Sequence, residues 1–236
     1  MIELNADIGE GCDDTGLMPF LARVSIACGG HTGDAASMMA ALRLAASHGV
    51  AVGAHPSYPD RAQFGRRAMA PSPGEIVHWV TQQTEALAEQ AARLGLRLAH
   101  VKPHGALYNV AARDPAVARA IAMAVAAFDP DLLLVGLSGS QLVAAGQAVG
   151  LAVLNEGFAD RRYQTNGQLV SRETPEAVVS DPDAAARQAR ALARGRPVSA
   201  LNGGTLRIQV DTICLHSDTP NALNIAQAVH AALNRG

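Results

Sequence analysis

The feature that most constrains this chain is an alternation. Short apolar runs recur between longer, alanine-rich amphipathic ones from end to end. Runs 2–7, 23–28, 50–55, 97–103, 132–137, 151–156 and 208–216 read as strands. Segments 34–49, 72–96, 114–129, 140–150, 181–195 and 219–236 read as helices. Asp34 and Asp114 are good N-caps, Gly49 and Gly95 good terminators, and Pro220 sits near the first turn of the last helix. Repeated βα units imply parallel strands joined by right-handed crossovers. Two architectures fit: a doubly wound open sheet, or a closed TIM-like barrel with seven strands. No linker divides residues 1–236, so a single domain is expected. Segment 157–181 is the longest without a core pattern, and long βα loops tend to be functional.

Composition narrows the partners. The net charge is −2, with no basic block to meet nucleic acid or an acidic membrane surface. The longest apolar stretches are too short to span a bilayer. The opening "MIELNADIGEG" lacks the pattern of a signal peptide. Cys12, Cys28 and Cys214 form no CxxC pair and read as reduced thiols, pointing to a cytoplasmic protein. Lys102 is the only lysine beside eighteen arginines. A compact ammonium is not interchangeable with a guanidinium, so its place matters.

Parallel α/β folds build sites at the carboxyl ends of strands. Six of the seven ends here carry histidine, a carboxylate or lysine. The first brings Asn5, Asp7 and Glu10; the second His31 and Asp34; the third His55, with Arg66 and Arg67 on its loop. The fourth brings Lys102, His104 and Asn109; the sixth Glu156, Asp160 and Arg161; the last His216 and Asp218. A charge on a barrel strand is costly unless paired, which favours Asp7 as a site residue over a turn residue; Asp34 reads first as a helix cap, the arginine pair reads first as a solvated surface, and Asp160 with Arg161 could be a structural ion pair. His100, two residues before Lys102, shares its strand face and reads as a core or supporting group. No HExxH, GxxxxGK[ST] or GxGxxG occurs, and no residue is assigned as a metal ligand.

The motifs "LNADIGE" (4–10), "ACGGHTGD" (27–34), "GAHPSYPD" (53–60), "FGRR" (64–67), "VKPHGALYN" (101–109), "EGFADRRY" (156–163) and "DTICLHSDTP" (211–220) resemble those of the LamB/YcsF family, in the same order. Ser217 stands where that family usually has glycine, whose backbone freedom serine lacks. The resemblance implies a (β/α)7 barrel of the glycoside hydrolase/deacetylase type. It further implies the A subunit of an ATP-dependent 5-oxoprolinase, opening 5-oxo-L-proline to L-glutamate with ATP as co-substrate and the B and C subunits as partners. On that reading Asp7, His55, Lys102, His104, Glu156 and His216 are the catalytic candidates. Asn5, Glu10, His31, Asp34, Arg66, Arg67, Asn109, Asp160, Arg161 and Asp218 are the substrate-binding ones. The alternative on the same barrel is a metal-dependent deacetylase or carbohydrate hydrolase.

Overall fold

A computed structural model describes residues 2–234. It settles the architecture as the closed barrel. The first six strands are β1 (Glu3–Ile8), β2 (Arg23–Ala27), β3 (Ala51–His55), β4 (His100–Val101), β5 (Leu133–Leu137) and β6 (Val153–Phe158). A two-stranded antiparallel ribbon follows, β7 (Val198–Ser199) with β8 (Thr205–Leu206), and then the last barrel strand, β9 (Thr212–His216). The first six pair in parallel in chain order, and β9 closes the ring between β6 and β1. Helices α1 (Ala35–Ser47), α2 (Pro73–Ala92), α3 (Gly105–Ala111), α4 (Pro115–Phe128), α5 (Gln141–Ala148), α6 (Pro182–Ala193) and α7 (Ala222–Asn234) complete the βα repeat.

The caps follow the sequence. Asp34 and Ser37 form a reciprocal capping box on α1, and Ser72 with Glu75 form another on α2. Asp114 caps α4, and Asp181 caps α6. Several expectations shift: α2 ends at Ala92 rather than 96, and neither α3 nor the β7–β8 ribbon was expected. The fourth strand is two residues long rather than 97–103. Pro103 has no N–H to donate, and the flanks keep scattered bonds: Ala99 N–H to Val52 O, Leu133 N–H to Ala99 O and Lys102 N–H to Ala54 O. The last strand begins at Thr212 rather than 208. Before it, the Asp211 carboxylate accepts from the backbone and side chain of Asn155, which diverts the chain. The final helix starts at Ala222, and positions 235–236 of that expectation lie outside the described residues.

Strand alternation divides the barrel into two environments. Leu4, Ala6, Ile8, Val24, Ile26, Ala54, Val101, Leu134, Ile213 and Leu215 are buried in the hydrophobic core. The alternate residues Asn5, Asp7, Ser25, His55, His100, Lys102, Glu156 and Thr212 are buried and polar. They bond one another: Asn5 donates to Thr212 Oγ1 at 2.8 Å, and Ser25 Oγ meets His100 Nε2 at 3.2 Å. Apolar burial drives closure, while the polar set must pair internally because each unpaired buried group is costly.

The His100 ring fits only because Gly53, its register partner, has no side chain. A methyl there would lie 2.4 Å from the ring. Gly53→Ala is therefore expected to lower stability by about 1–3 kcal/mol through overpacking. Denaturant unfolding of the variant measures this.

Candidate active site

Lys102 sits at the centre of the polar interior, 2% exposed. Its Nζ lies 2.9 Å from Asp7 Oδ1 and 2.8 Å from Glu156 Oε1. It also lies 3.2 Å from both Asn5 Oδ1 and Cys214 Sγ. Register explains the convergence: Asn5 opposes Cys214 across β1–β9, and Cys214 opposes Phe158 across β9–β6. Burial would pull the ammonium down, but the Asp7 and Glu156 carboxylates hold its pKa well above the ordinary value. Burial likewise works against ionised Asp7, and His55 and Lys102 overcome it, leaving the carboxyl well below its usual range. Tyr108 donates to Glu156 Oε2 at 2.7 Å, and burial beside that carboxylate pushes the phenol up.

Beside this group stands a histidine cluster. His55 donates Nδ1–H to the Lys102 carbonyl at 2.7 Å, which leaves Nε2 facing His104 Nδ1 at 3.0 Å. His104 occupies the N-cap of α3 but does not cap it; its Nε2–H donates to Phe64 O at 3.0 Å. His31 stacks on His104 with centroids 3.6 Å apart, and its Nε2 meets Glu10 Oε1 at 2.8 Å. Gly65, at φ +62°, lets the 61–67 loop press onto this pair, since a Cβ there would lie 2.9 Å from His31. Burial lowers His31 to about 4, opposed by Glu10, and also lowers His104. Burial acts on His55 too, yet Asp7 and Glu10 raise it overall. Among the described residues, two groups bring three metal-ligand atoms within 4.8 Å of one another: those of Glu10, His31 and His104, and those of Asp7, Cys214 and His216. Burial holds the Cys214 thiol well above its ordinary pKa, so the second group is a poor thiolate site.

On the opposite wall, Asp160 is fully buried. It accepts from His216 Nδ1 at 3.0 Å, from the His216 backbone N–H at 2.9 Å and from Thr219 Oγ1 at 2.7 Å. These bonds outweigh burial and lower Asp160 to about 2. The carboxylate thus fixes the His216 tautomer, with the Nε2 lone pair left over. His216 stacks on Phe158 and lines the cavity.

That cavity measures about 600 Å³. Asp7, Glu10, His55, Lys102 and His104 form its polar floor, and His216 lines the facing wall. Arg66, Arg113, Arg161 and Arg172 also line it, and Asp218 bridges Arg66 and Arg172. Arg161 is buried, donates to Val170 O at 2.6 Å, and has an Nε with no partner. Burial and neighbouring Arg172 depress its pKa to about 10.

Most of the sequence-derived candidates meet here. Asn109 is exposed on α3 at the cavity edge. Asn5, His31, Glu156 and Asp160 lie behind the lining and hold residues that form it. Two depart from expectation. Asp34 is exposed and spends its carboxylate capping α1; Arg67 is exposed and off the cavity wall. Ser217 is not in the left-handed region, and its hydroxyl donates to Asp7 O at 3.3 Å, so the glycine is not required there. Tyr108, Cys214 and Arg172 were not singled out from sequence. Tyr108 lies inside a motif already noted and Cys214 alternates with His216, but nothing local marks Arg172.

A seven-stranded β/α barrel with a buried lysine–carboxylate core, a histidine–aspartate pair and an arginine-lined mouth defines the class. The LamB/YcsF family model matches residues 2–236, and the chain belongs to that family. It is 50% identical to a protein of Chloroflexus aggregans described as the A subunit of 5-oxoprolinase, over 98% of this chain and 94% of that one. It is 51% identical to the protein of the same description from Methylococcus capsulatus, over 98% and 92%. Among solved structures it resembles the lactam utilization protein from Thermus thermophilus, with TM-score 0.91 and 45% identity over 99% and 96% of the two chains.

Burial lowers His100 to about 3. An unfolded histidine titrates near 6.5. Between those values the unfolded chain binds a proton that the folded chain refuses, so stability falls as pH drops from about 6.5 toward 3. His100→Gln is expected to make this acid limb shallower in pH-dependent melting. An unchanged limb would contradict it.

Proposed function

We propose that this chain is the ring-opening subunit of an ATP-dependent 5-oxoprolinase, working in the cytoplasm with the B and C subunits as partners. The three free cysteines suit a reducing compartment. The descriptions of the relatives support the substrate. The observation that carries the chemistry is His216, fixed through Nδ1 by buried Asp160 on a cavity wall. This is the arrangement of a general base whose orientation is set by a carboxylate.

An unstrained lactam is a poor electrophile, and phosphorylation of its carbonyl oxygen by ATP would activate it. Water would then add to the former carbonyl carbon, with His216 taking its proton. The ring C–N bond breaks and the nitrogen receives a proton. The remaining acyl phosphate takes a second water to give the side-chain carboxylate and phosphate. Arg161 and Arg172 suit the substrate carboxylate or the phosphoryl group, as paired guanidinium groups do. Lys102 has three N–H donors and four acceptors around it. Its part is to keep Asp7 ionised and the floor fixed, with its positive charge felt by the developing oxyanion.

Purified chain combined with its B and C subunits is expected to release glutamate from 5-oxoproline only with ATP. His216→Ala is expected to reduce the rate about 10²–10⁴-fold. Lys102→Arg is also expected to lose activity, because a planar guanidinium does not fit a pocket shaped for a compact ammonium. No glutamate release from the complete wild-type assembly would refute the reading.

A further inference from the structure

Four ligand-type atoms meet on the cavity floor with too few protons among them. His55 uses its Nδ1–H on the Lys102 carbonyl, and His104 uses its Nε2–H on the Phe64 carbonyl. In the neutral rings this leaves two nitrogen lone pairs, His55 Nε2 and His104 Nδ1, facing each other at 3.0 Å. Glu10 Oε1 stands 3.1 Å from His104 Nδ1 and 3.7 Å from His55 Nε2. Asp7 Oδ2 stands 3.3 Å from His55 Nε2. Four acceptors at such distances repel unless a cation lies among them.

We propose that Asp7, Glu10, His55 and His104 form a binding site for one first-row divalent transition ion, of the zinc class. Three observations support this. Four of the edges between donor atoms, His55 to His104, Asp7 and Glu10, and Glu10 to His104, measure 3.0 to 3.7 Å and suit a coordination shell. In a tetrahedral shell, metal–donor bonds of about 2.0–2.2 Å give edges of roughly 3.3–3.6 Å. Both histidines are oriented by donating the opposite ring N–H to a backbone carbonyl, the arrangement that fixes metal-ligating imidazoles. Glu10 is itself held by His31 Nε2 at 2.8 Å, a supporting bond to a ligating carboxylate.

Charge points the same way. Asp7 and Glu10 bring two carboxylates to this floor, and Lys102 pairs with Asp7 and with Glu156 behind the floor but not with Glu10. Two imidazoles and two carboxylates favour a borderline ion over calcium or magnesium, which take oxygen-rich shells. The competing occupant is a single proton shared between His55 and its neighbours, and binding experiments separate the two.

The test is titration of chelator-stripped, full-length protein with ZnCl2 by calorimetry, with elemental analysis of the product. About one ion per chain is expected. Glu10→Gln and His104→Gln are each expected to weaken binding at least tenfold, in line with losses from disturbed metal sites. His48→Gln, at an exposed histidine on the rim of α1, should leave binding unchanged. Wild-type binding no tighter than that of a folded His55→Gln/His104→Gln double variant would overturn the inference. Should the variants fail to fold, Co²⁺ added to wild type decides. An intense low-symmetry visible spectrum supports the site, and the weak spectrum of the aqueous ion refutes it. Binding is read without substrate, so failure of the oxoprolinase reading and failure of the metal site are separate outcomes.

Discussion

One buried ammonium organises the interior of this barrel. Lys102 lies between Asp7 and Glu156, with Asn5 and Cys214 completing its shell. Ions removed from water lose several kcal/mol of solvation each, which only close, well-formed pairing can offset. Strands from both sides of the closure seam, β1, β6 and β9, supply those partners, and β4 delivers the lysine. The residues that bind the charge are therefore also those that close the ring. Removing Lys102 would leave two buried carboxylates without their shared cation.

The same constraint extends outward. Asp7 reaches Lys102 through one oxygen and His55 through the other. His55 is pinned to the lysine's own carbonyl, so backbone position and side-chain charge at residue 102 are coupled. Glu156 passes its second oxygen to Tyr108 on α3. The opposite wall stands apart: Asp160, His216 and Thr219 form their own bonded set. Phe158 separates the two, stacked on His216 and 5.8 Å from the ammonium. One half is built on an ammonium between carboxylates, the other on a histidine held by a buried aspartate.

Much of this was legible in the sequence, for definite reasons. Parallel βα repetition has one strong signal, apolar periodicity, and it located all seven barrel strands. The site was legible because a parallel barrel gathers strand ends, so Asp7, His55, Lys102, Glu156 and His216 could be grouped before any distance was known. Closure of the ring was not legible in the repeat itself, since an open sheet uses the same repeat; the family motifs implied it, and the pairing of β9 with both β6 and β1 shows it. The division of roles was hidden too. Asp160 and Asp34 look alike in sequence, but one is buried on a histidine and the other caps an exposed helix. Arg172 reaches the mouth from an irregular segment, where no periodicity assigns a face.

The most direct test of the central claim is a double-mutant cycle on unfolding free energy with Lys102→Met and Glu156→Gln. Lys102→Met alone is expected to cost about 3–5 kcal/mol, as for a buried pair left with an unpaired charge. Glu156→Gln in the same chain is expected to recover part of it, giving a coupling of about 1–3 kcal/mol. Additivity to within about 0.5 kcal/mol would show that the ammonium and the carboxylate do not depend on each other.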